Sequence, residues 1–272
     1  MKKREVLKFN NICKNIKSIK IQGARNVAKA GLEAYLMIPT KNSKKKLLSL
    51  RPTEPMLERV LDLAEKQKPE TIINHFDEAQ KKINKNIFKI IKNGNIILTH
   101  CHSTNVVNAL IYSKKNKKSF EVYNTETRPL FQGRKTALEL KKANIKTTMF
   151  VDSAMLIAIK GNGTKKVDKI IIGADALIEK GIINKIGSGI LAELAKEYKI
   201  PFYIVADSWK YSSKSIPIEN RTLNEVWDKA PKNFKIRNPA FEFVNKKYIT
   251  KIITELGIFN YDDFLKERKI NF

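Results

Sequence analysis

Five short apolar segments recur in the second part of the sequence, and most are followed by a turn and a helical stretch. They are NIILTH (95–100), FEVYNTE (120–126), TTMFVDS (147–153), KIIIGAD (169–175) and PFYIVAD (201–207). The spacing of apolar residues between them predicts helices over 104–113, 134–143, 154–159 and 188–198. Apolar strands without alternation, separated by helices, are typical of a parallel sheet covered on both faces. The pattern therefore predicts a doubly wound, Rossmann-like α/β domain.

The sequence before the first of these strands has helical periodicity instead. Apolar residues at helical spacing predict helices over 26–36, 56–64 and 70–91. The stretch 38–55 is polar and punctuated by prolines, which predicts a loop or a crossing segment. We therefore expect a helical N-terminal domain over residues 1–92 and a Rossmann-like catalytic domain over residues 93–272.

Composition narrows the class of protein. A hydrophobic fraction of 42% in 272 residues supports a packed core and excludes a disordered chain. The N-terminus lacks the apolar stretch of a signal peptide, and no apolar run approaches the roughly 18 residues that span a bilayer. The two cysteines provide no disulfide framework. We expect a cytoplasmic protein with no membrane partner.

The net charge of +26 has several explanations. Clustered lysines can bind nucleic acid, because cations displace counterions at phosphates. A basic field can equally attract a phosphorylated metabolite, and a lysine-rich proteome or a thermophile's surface would need no ligand at all. The lysine runs at 44–46 and 114–118 lack interleaved aromatic residues, so nucleic acid is not expected as a partner.

Polar residues follow all five predicted strands. The strand ends carry the sequences THCHS, NTETRP, VDSA, GAD and ADSWK. In an open parallel sheet, ligands bind beyond the carboxyl ends of the strands. Five polar ends together therefore predict a functional site at this edge of the sheet.

Two of these residues are candidates for acid–base chemistry. Cys101 precedes a helix whose N-cap is predicted to be Ser103 or Thr104, and a thiol there, beside imidazoles, can have a lowered pKa. Asp175 closes the strand KIIIGAD, where partial burial would raise its pKa. The alternatives stay open, since a free cysteine is commonly inert and an aspartate there often forms a turn.

A zinc site around Cys101 is not expected. His100 and His102 flank the cysteine, but a zinc site needs at least three protein ligands and no further Cys or His lies at ligand spacing. We therefore expect no metal.

Three polar clusters could bind phosphate. INKIGSG (183–189) offers Asn184, Lys185 and two glycines before a helix, which predicts an anion site, although an ordinary glycine turn would look the same. IQGARN (21–26) supplies Arg25, and Arg51 could reach over from the loop, unless both are surface arginines. ETRPLFQG (126–133) is a third cluster, which could equally be structural.

Several motifs resemble one known family. They are THCHS, TETRPLFQGRKTALEL, VDSA, GADALIEKGIINKIGS and WDKAPKNFKIRNPAFEFV, and the resemblance runs from about Ile21 to the C-terminus. The family includes archaeal ribose-1,5-bisphosphate isomerase, methylthioribose-1-phosphate isomerase and the regulatory α, β and δ subunits of translation initiation factor two-B. The resemblance implies a helical domain joined to a Rossmann-like domain, with the substrate in the cleft between them.

The resemblance also implies roles for individual residues. Cys101 and Asp175 match the catalytic pair of the family's isomerases, and the implied contacts with the phosphorylated sugar are Gln22, Gly23, Ala24, Arg25, Arg51, Ser103, Thr104, Asn105, Asn184, Lys185 and Lys210. The translation-factor subunits generally lack the cysteine, so its retention favours an enzyme. THCHS, rather than the HCNTG of the methylthioribose enzyme, favours ribose 1,5-bisphosphate.

The implied isomerisation uses a protonated Asp175 and a Cys101 thiolate, and it requires no metal or organic cofactor. It therefore predicts a raised pKa for the aspartate and a lowered pKa for the cysteine. Gln22 stands where the family usually has arginine, and we expect Arg25 to restore the lost cation.

Two alternatives remain for the function, a non-enzymatic regulatory subunit and a methylthioribose-1-phosphate isomerase. By resemblance the chain is a homo-oligomer, either a dimer or a hexamer.

Overall fold

Helices dominate the described residues before the first strand. The computed structural model describes residues 3–271, of which Asn271 is described by its backbone alone. The first five helices are α1 (Lys3–Lys17), α2 (Ala24–Met37), α3 (Lys41–Leu50), α4 (Pro55–Ala64) and α5 (Pro69–Ile90). The helices predicted over 26–36, 56–64 and 70–91 are confirmed as α2, α4 and α5.

The prediction of a loop over 38–55 is wrong, because α3 lies inside it. The hydroxyl of Thr40 accepts a hydrogen bond from the backbone N–H of Ser43 at 3.2 Å, and the Ser43 hydroxyl accepts one from the N–H of Thr40 at 3.2 Å. This reciprocal cap satisfies two backbone donors that would otherwise lack partners. Leu47 is fully buried and anchors the helix on its neighbours. The N-terminal cap and the buried leucine thus stabilise a helix in a lysine-rich stretch that has little apolar periodicity.

Ten strands follow or interleave with the remaining helices over residues 3–271. The strands are β1 (Asn95–Thr99), β2 (Phe120–Thr125), β3 (Lys146–Phe150), β4 (Lys169–Gly173), β5 (Ala176–Ile178), β6 (Gly181–Lys185), β7 (Phe202–Val205), β8 (Phe241–Asn245), β9 (Lys251–Ile253) and β10 (Ile258–Phe259). The helices are α6 (Thr104–Lys115), α7 (Gln132–Lys142), α8 (Met155–Lys160), α9 (Ser188–Glu197) and α10 (Tyr261–Asn271). The five predicted strands and four predicted helices of this region are confirmed as β1, β2, β3, β4 and β7 and as α6, α7, α8 and α9.

The main sheet is doubly wound, as predicted. Its seven strands run in the order β10-β9-β7-β4-β1-β2-β3, and the pairs are parallel except for β9 with β10. Ile171 on β4 joins the core on one face, while Ile170 and Ile172 join the core on the other face. Because alternate residues of a strand face opposite sides, burial of all three requires cover on both faces. The α/β fold class is therefore confirmed.

Helix α5 links the helical region to the sheet. Its residues Ile83 and Ile87 are buried in the same core as Ile97 and Ile171 of the sheet. The division of the chain at residues 92 and 93 stays a prediction. Over residues 3–271, no helix is both long enough and apolar enough to cross a membrane.

A second, smaller sheet was not predicted. Strands β5, β6 and β8 pair in antiparallel fashion in the order β5-β6-β8. Asp175 lies between β4 and β5, and Asn184 and Lys185 end β6. The small sheet therefore carries the GAD and NKIG motifs to the carboxyl edge of the main sheet.

Candidate active site

A cavity of about 410 Å³ lies at the carboxyl ends of β1 and β4, where the main sheet meets the start of α2 and the small sheet. All the residues predicted to bind or transform a substrate line this one cavity. They are Gln22, Gly23, Ala24, Arg25, Arg51, Cys101, Ser103, Thr104, Asn105, Asp175, Asn184, Lys185 and Lys210. The structure thus brings together segments that are up to 188 residues apart in the chain, from Gln22 to Lys210. Their chemical roles remain predictions.

Cys101 occupies an unusual turn immediately after β1. Its φ of 65° lies in the left-handed region, which a residue with a side chain adopts rarely and mostly where surrounding contacts hold it. Its backbone N–H donates to the Thr127 hydroxyl at 2.9 Å, and its carbonyl accepts from the Thr136 hydroxyl at 2.9 Å. Thr127 is held in turn, because its N–H donates to Asp152 at 2.8 Å. The TETRP and VDSA motifs therefore support the cysteine from outside the cavity.

The two histidines beside Cys101 are neutral at pH 7. Burial lowers the pKa of His100, whose Nε2 donates to the Ile186 carbonyl at 2.8 Å. Burial and then Lys135 lower the pKa of His102 to about 4. Neither imidazole therefore provides a positive charge to stabilise a thiolate.

The predicted lowering of the Cys101 pKa is wrong for this structure. Burial of the thiol, and after it the charge of Asp175, raises the pKa to about 12, although Lys185 acts in the opposite direction. A thiolate in a poorly solvated site costs free energy, and a neighbouring carboxylate adds repulsion. The residue nevertheless keeps partial exposure and lines the cavity, so it is accessible to a ligand.

The pKa of Asp175 is raised, as predicted. Burial raises its pKa, and Lys210, Arg51 and Lys185 together act to lower it. Its backbone N–H donates to the Ile183 carbonyl of β6 at 2.9 Å, which fixes the residue between the two sheets. The side chain is half-buried and lines the cavity beside Cys101. A protonated carboxyl in this position can donate a proton to a bound ligand.

Three buried cations face the cavity. They are Arg51, Lys185 and Lys210, and each residue is at most 7% exposed. Lys210 Nζ donates to the Ala174 carbonyl at 2.6 Å, directly beside Asp175. Because a buried cation is stable only with compensating charge or hydrogen bonds, this cluster favours an anionic ligand.

The predicted anion site at INKIGSG needs a correction. The backbone N–H groups of Gly187 and Gly189 donate to one carboxylate oxygen of Glu242, at 2.5 and 2.9 Å. The N-terminus of α9 is therefore already occupied by a side chain from β8. Asn184 and Lys185 still line the cavity, so an anion contact by their side chains stays a prediction, while the prediction for the backbone of the glycine turn is wrong.

The other predicted contacts are held by local packing. Ser103 is the N-cap of α6, as predicted, and it lies so close to Gly173 that a Cβ there would come within 2.6 Å. Asn105 is buried and its amide donates to Gln80 of α5 at 3.0 Å. The Arg25 guanidinium forms an ion pair with Asp77 of α5.

One functional candidate was missed. Glu54 stands in the segment RPTEP (51–55), and its side chain is 1% exposed and lines the cavity beside Arg51. Burial and then the charge of Asp175 raise its pKa to about 7. An acidic residue between two prolines looks like an exposed turn in sequence, so only the tertiary structure reveals its burial.

A second polar cluster lies on the far side of Lys210. His75, Asp207 and Glu255 hold ligand atoms within 4.8 Å of one another, a donor set that suits a divalent metal. All three already have protein partners. His75 Nε2 lies 3.1 Å from both Asp207 oxygens, and Glu255 accepts from the Ser208 N–H at 3.0 Å. The cluster fixes the segment that carries Lys210 against α5.

Comparisons with known proteins agree with the motifs. The profile of the Initiation factor 2 subunit family matches residues 18–261. A ribose 1,5-bisphosphate isomerase from Archaeoglobus fulgidus is 33% identical, and the match covers 89% of this chain and 86% of that protein. A methylthioribose-1-phosphate isomerase from Fervidobacterium nodosum is 31% identical, with 88% and 78% covered.

The fold is also similar to a solved structure. The crystal structure described as translation initiation factor eIF-2B from Pyrococcus horikoshii has a TM-score of 0.80 and 26% identity, and the match covers 96% of this chain and 98% of that one. The profile, the sequence relatives and the fold agree over nearly the whole chain. The chain therefore belongs to the Initiation factor 2 subunit family.

Proposed function

We propose that this chain is a sugar-phosphate isomerase that converts ribose 1,5-bisphosphate into ribulose 1,5-bisphosphate. The observation that carries the proposal is one cavity that holds both Cys101 and Asp175 among an excess of cations. Seven lysines and arginines line this cavity against three acidic residues. Each phosphate of a bisphosphate carries roughly 1.5 to 2 negative charges, so the excess suits two phosphates. The named function of the Archaeoglobus fulgidus relative supports the same substrate.

The phosphate on the anomeric oxygen dictates the first step. It prevents the spontaneous ring opening of a free sugar, so the ring oxygen has to be protonated as its bond to C1 breaks. Asp175 donates this proton, and burial, which raises its pKa, keeps the proton on the carboxyl group to a higher pH than in a solvated aspartate.

Proton transfer at carbon follows. The Cys101 thiolate removes the proton from C2 and returns it to C1, while the Asp175 carboxylate accepts the proton of the C2 hydroxyl. Both groups therefore end as they began, and the product is the 2-ketose. The charge of Asp175 raises the pKa of the thiol, so the thiolate forms more readily before the first step, while Asp175 is protonated, and Lys185 favours it throughout. The carboxylate that the first step leaves makes the thiolate a stronger base for the proton of C2. The buried cations bind the phosphates and thereby hold the sugar in place relative to Cys101 and Asp175.

A substrate panel tests the proposal. Purified protein is offered ribose 1,5-bisphosphate, methylthioribose 1-phosphate and 5-deoxyribose 1-phosphate, and ketose formation is followed by NMR. We expect kcat/KM for the bisphosphate to exceed the others by roughly 10- to 100-fold, since hydrogen bonds to a charged phosphate are lost with the monophosphates. A higher kcat/KM for either monophosphate would contradict the proposed substrate.

A non-enzymatic regulatory role is the second candidate. The structural similarity to the protein described as eIF-2B favours it. It predicts stable binding of an initiation factor and no turnover of any sugar phosphate. Absence of turnover in the panel, together with a copurifying initiation factor, would replace the isomerase proposal with this one.

Arg25→Ala should raise KM for the bisphosphate roughly tenfold at nearly constant kcat, because the guanidinium lines the cavity and its loss removes a phosphate contact. The measurement is steady-state kinetics of ketose formation. Lys29→Ala is a matched control, since Lys29 lies over the same Phe76 ring as Arg25 but does not line the cavity. An unchanged KM in Arg25→Ala would show that the guanidinium serves only the ion pair with Asp77.

A further inference from the structure

Thr127, in the turn that follows β2, has a backbone conformation that its side chain disfavours. Its φ of 62° lies in the left-handed region, and threonine is β-branched, which makes such a φ a genuine outlier. The residue is fully buried, so it is held there by its neighbours and not by water. Residues in this region cost free energy and persist where the surrounding structure fixes them, most often at functional sites. The conformation of Thr127 therefore indicates a functional constraint.

Asp152 holds Thr127 in this conformation. One carboxylate oxygen, Oδ1, accepts a hydrogen bond from the Thr127 N–H at 2.8 Å, and the other, Oδ2, accepts one from the Arg128 N–H at 2.6 Å. Hydrogen bonds to an ionised acceptor are stronger than those between neutral groups. Neither Asp152 nor Thr127 lines the cavity. The two side chains can therefore act on a bound ligand only through another residue.

That residue is Cys101, which is itself in the left-handed region with a φ of 65°. The Thr127 hydroxyl accepts a hydrogen bond from the Cys101 N–H at 2.9 Å, and the Cys101 carbonyl accepts one from the Thr136 hydroxyl at 2.9 Å. A residue has only two soft backbone torsions, so holding both its N–H and its carbonyl fixes the direction of the bond from Cα to Cβ. The contact with Thr127 thus helps to set where the sulfur atom of Cys101 can lie in the cavity.

We propose that Thr127 is a positioning residue for the isomerisation, which holds the turn of Cys101 through its hydroxyl and is itself held by Asp152. This inference rests on the proposed function, in which the Cys101 thiolate removes a proton from C2 and returns it to C1. One sulfur atom has to reach two adjacent carbon atoms, so a displacement affects both transfers. Misplacement of a catalytic group by about 1 Å can cost roughly 10²-fold in rate.

Thr127→Val and Thr127→Ser test the proposal as a matched pair. Valine keeps the β-branched shape and removes the hydroxyl, whereas serine keeps the hydroxyl and removes a methyl group. For Thr127→Val we expect kcat to fall roughly 10- to 100-fold at nearly constant KM, because the phosphate contacts stay in place. Thr127→Ser should have a kcat close to that of the wild type. Asp152→Asn should lower kcat as Thr127→Val does, since an amide has one acceptor oxygen for the two N–H donors.

Thr250→Val is the control for the loss of a threonine hydroxyl. Thr250 Oγ1 accepts a hydrogen bond from the Phe202 N–H at 2.9 Å, the same distance as in the contact of Thr127 with Cys101. Phe202 begins β7, so this contact lies at the edge of the sheet opposite the cavity. The variant should lower Tm and leave kcat unchanged. An unchanged kcat in Thr127→Val, or an equal fall in Thr127→Ser or Thr250→Val, would overturn the proposal.

Amide hydrogen exchange separates this inference from the proposed function. Protein labelled with ¹⁵N-cysteine gives amide signals only from Cys13 and Cys101, and Cys13→Ser assigns them. We expect the Cys101 N–H to exchange roughly tenfold faster in Thr127→Val than in the wild type, and at nearly the wild-type rate in Thr127→Ser.

The two measurements together distinguish the outcomes. If the exchange rates follow this pattern but no sugar phosphate turns over, the proposed function fails while the positioning of Cys101 by Thr127 stands. If ribose 1,5-bisphosphate turns over but the Cys101 N–H exchanges at the same rate in the wild type and in Thr127→Val, the isomerase stands and the role of Thr127 is overturned.

Discussion

Cys101→Ser is expected to lower kcat by roughly 10²- to 10⁴-fold, the contribution typical of a positioned acid–base group. A serine hydroxyl is far less acidic than a thiol, so it cannot supply the base that removes the proton from C2. KM should change little, because the phosphates are held by other residues. The measurement is steady-state and single-turnover kinetics with the substrate that the panel selects.

The structure indicates that this substitution keeps the fold. The contacts that hold residue 101 are made by its backbone, which donates to Thr127 and accepts from Thr136, and serine retains both. Cys13→Ser is the matched control, since Cys13 is buried in the core of the N-terminal helices, away from the cavity. It should reduce stability and leave kcat unchanged. Turnover by Cys101→Ser at the wild-type rate would remove the thiol from the mechanism.

Asp175→Asn is expected to lower kcat by a similar factor, roughly 10²- to 10⁴-fold. The amide has nearly the same shape as the carboxyl group but cannot act as the acid for the ring oxygen or as the base for the C2 hydroxyl. The backbone hydrogen bond from residue 175 to Ile183 does not depend on the side chain, so the site should keep its shape. Kinetics at several pH values measure the effect.

Asp168→Asn provides the comparison for this second substitution. Asp168 lies at the opposite end of β4, where its carboxylate accepts a hydrogen bond from the Ile96 N–H at 2.7 Å. The change should lower the free energy of unfolding without lowering kcat. Equal losses of kcat in the two variants would mean that Asp175 matters for the sheet rather than for proton transfer.

The main sheet could be predicted because its signal is local. Runs such as IIIG in β4 are apolar at every position, and only a strand buried on both faces requires that. The capped helix α3 was missed because its evidence is one Thr40–Ser43 pair and one buried leucine, too little for a periodic pattern. The small sheet was missed because β5 has only three residues and because β6, its partner, is completed by β8, which lies far along the chain.

Most members of the candidate site, though not Glu54, could be predicted, but their pKa values could not. The motifs at the strand ends, with the family resemblance, placed Cys101, Asp175 and Lys185 together, and one cavity holds them all. The thiol was expected to be acidic because imidazoles flank it in sequence. Burial leaves those imidazoles neutral and raises the pKa of the thiol to about 12.

The sequence alone determined five parallel strands of the main sheet and the polar motifs at their carboxyl ends, because apolar runs and the residues that follow them are local features of the chain. The pKa values and ionic contacts of the residues around the cavity depend on the tertiary structure alone. The carboxylate of Glu242 accepts hydrogen bonds from the backbone of the glycine turn. Glu54 is buried beside Arg51, and its pKa is raised by burial and by the charge of Asp175, which lies over a hundred residues away in the chain. The reason is physical, since a pKa depends on burial and on charges nearby in space, and both are set when distant segments pack together.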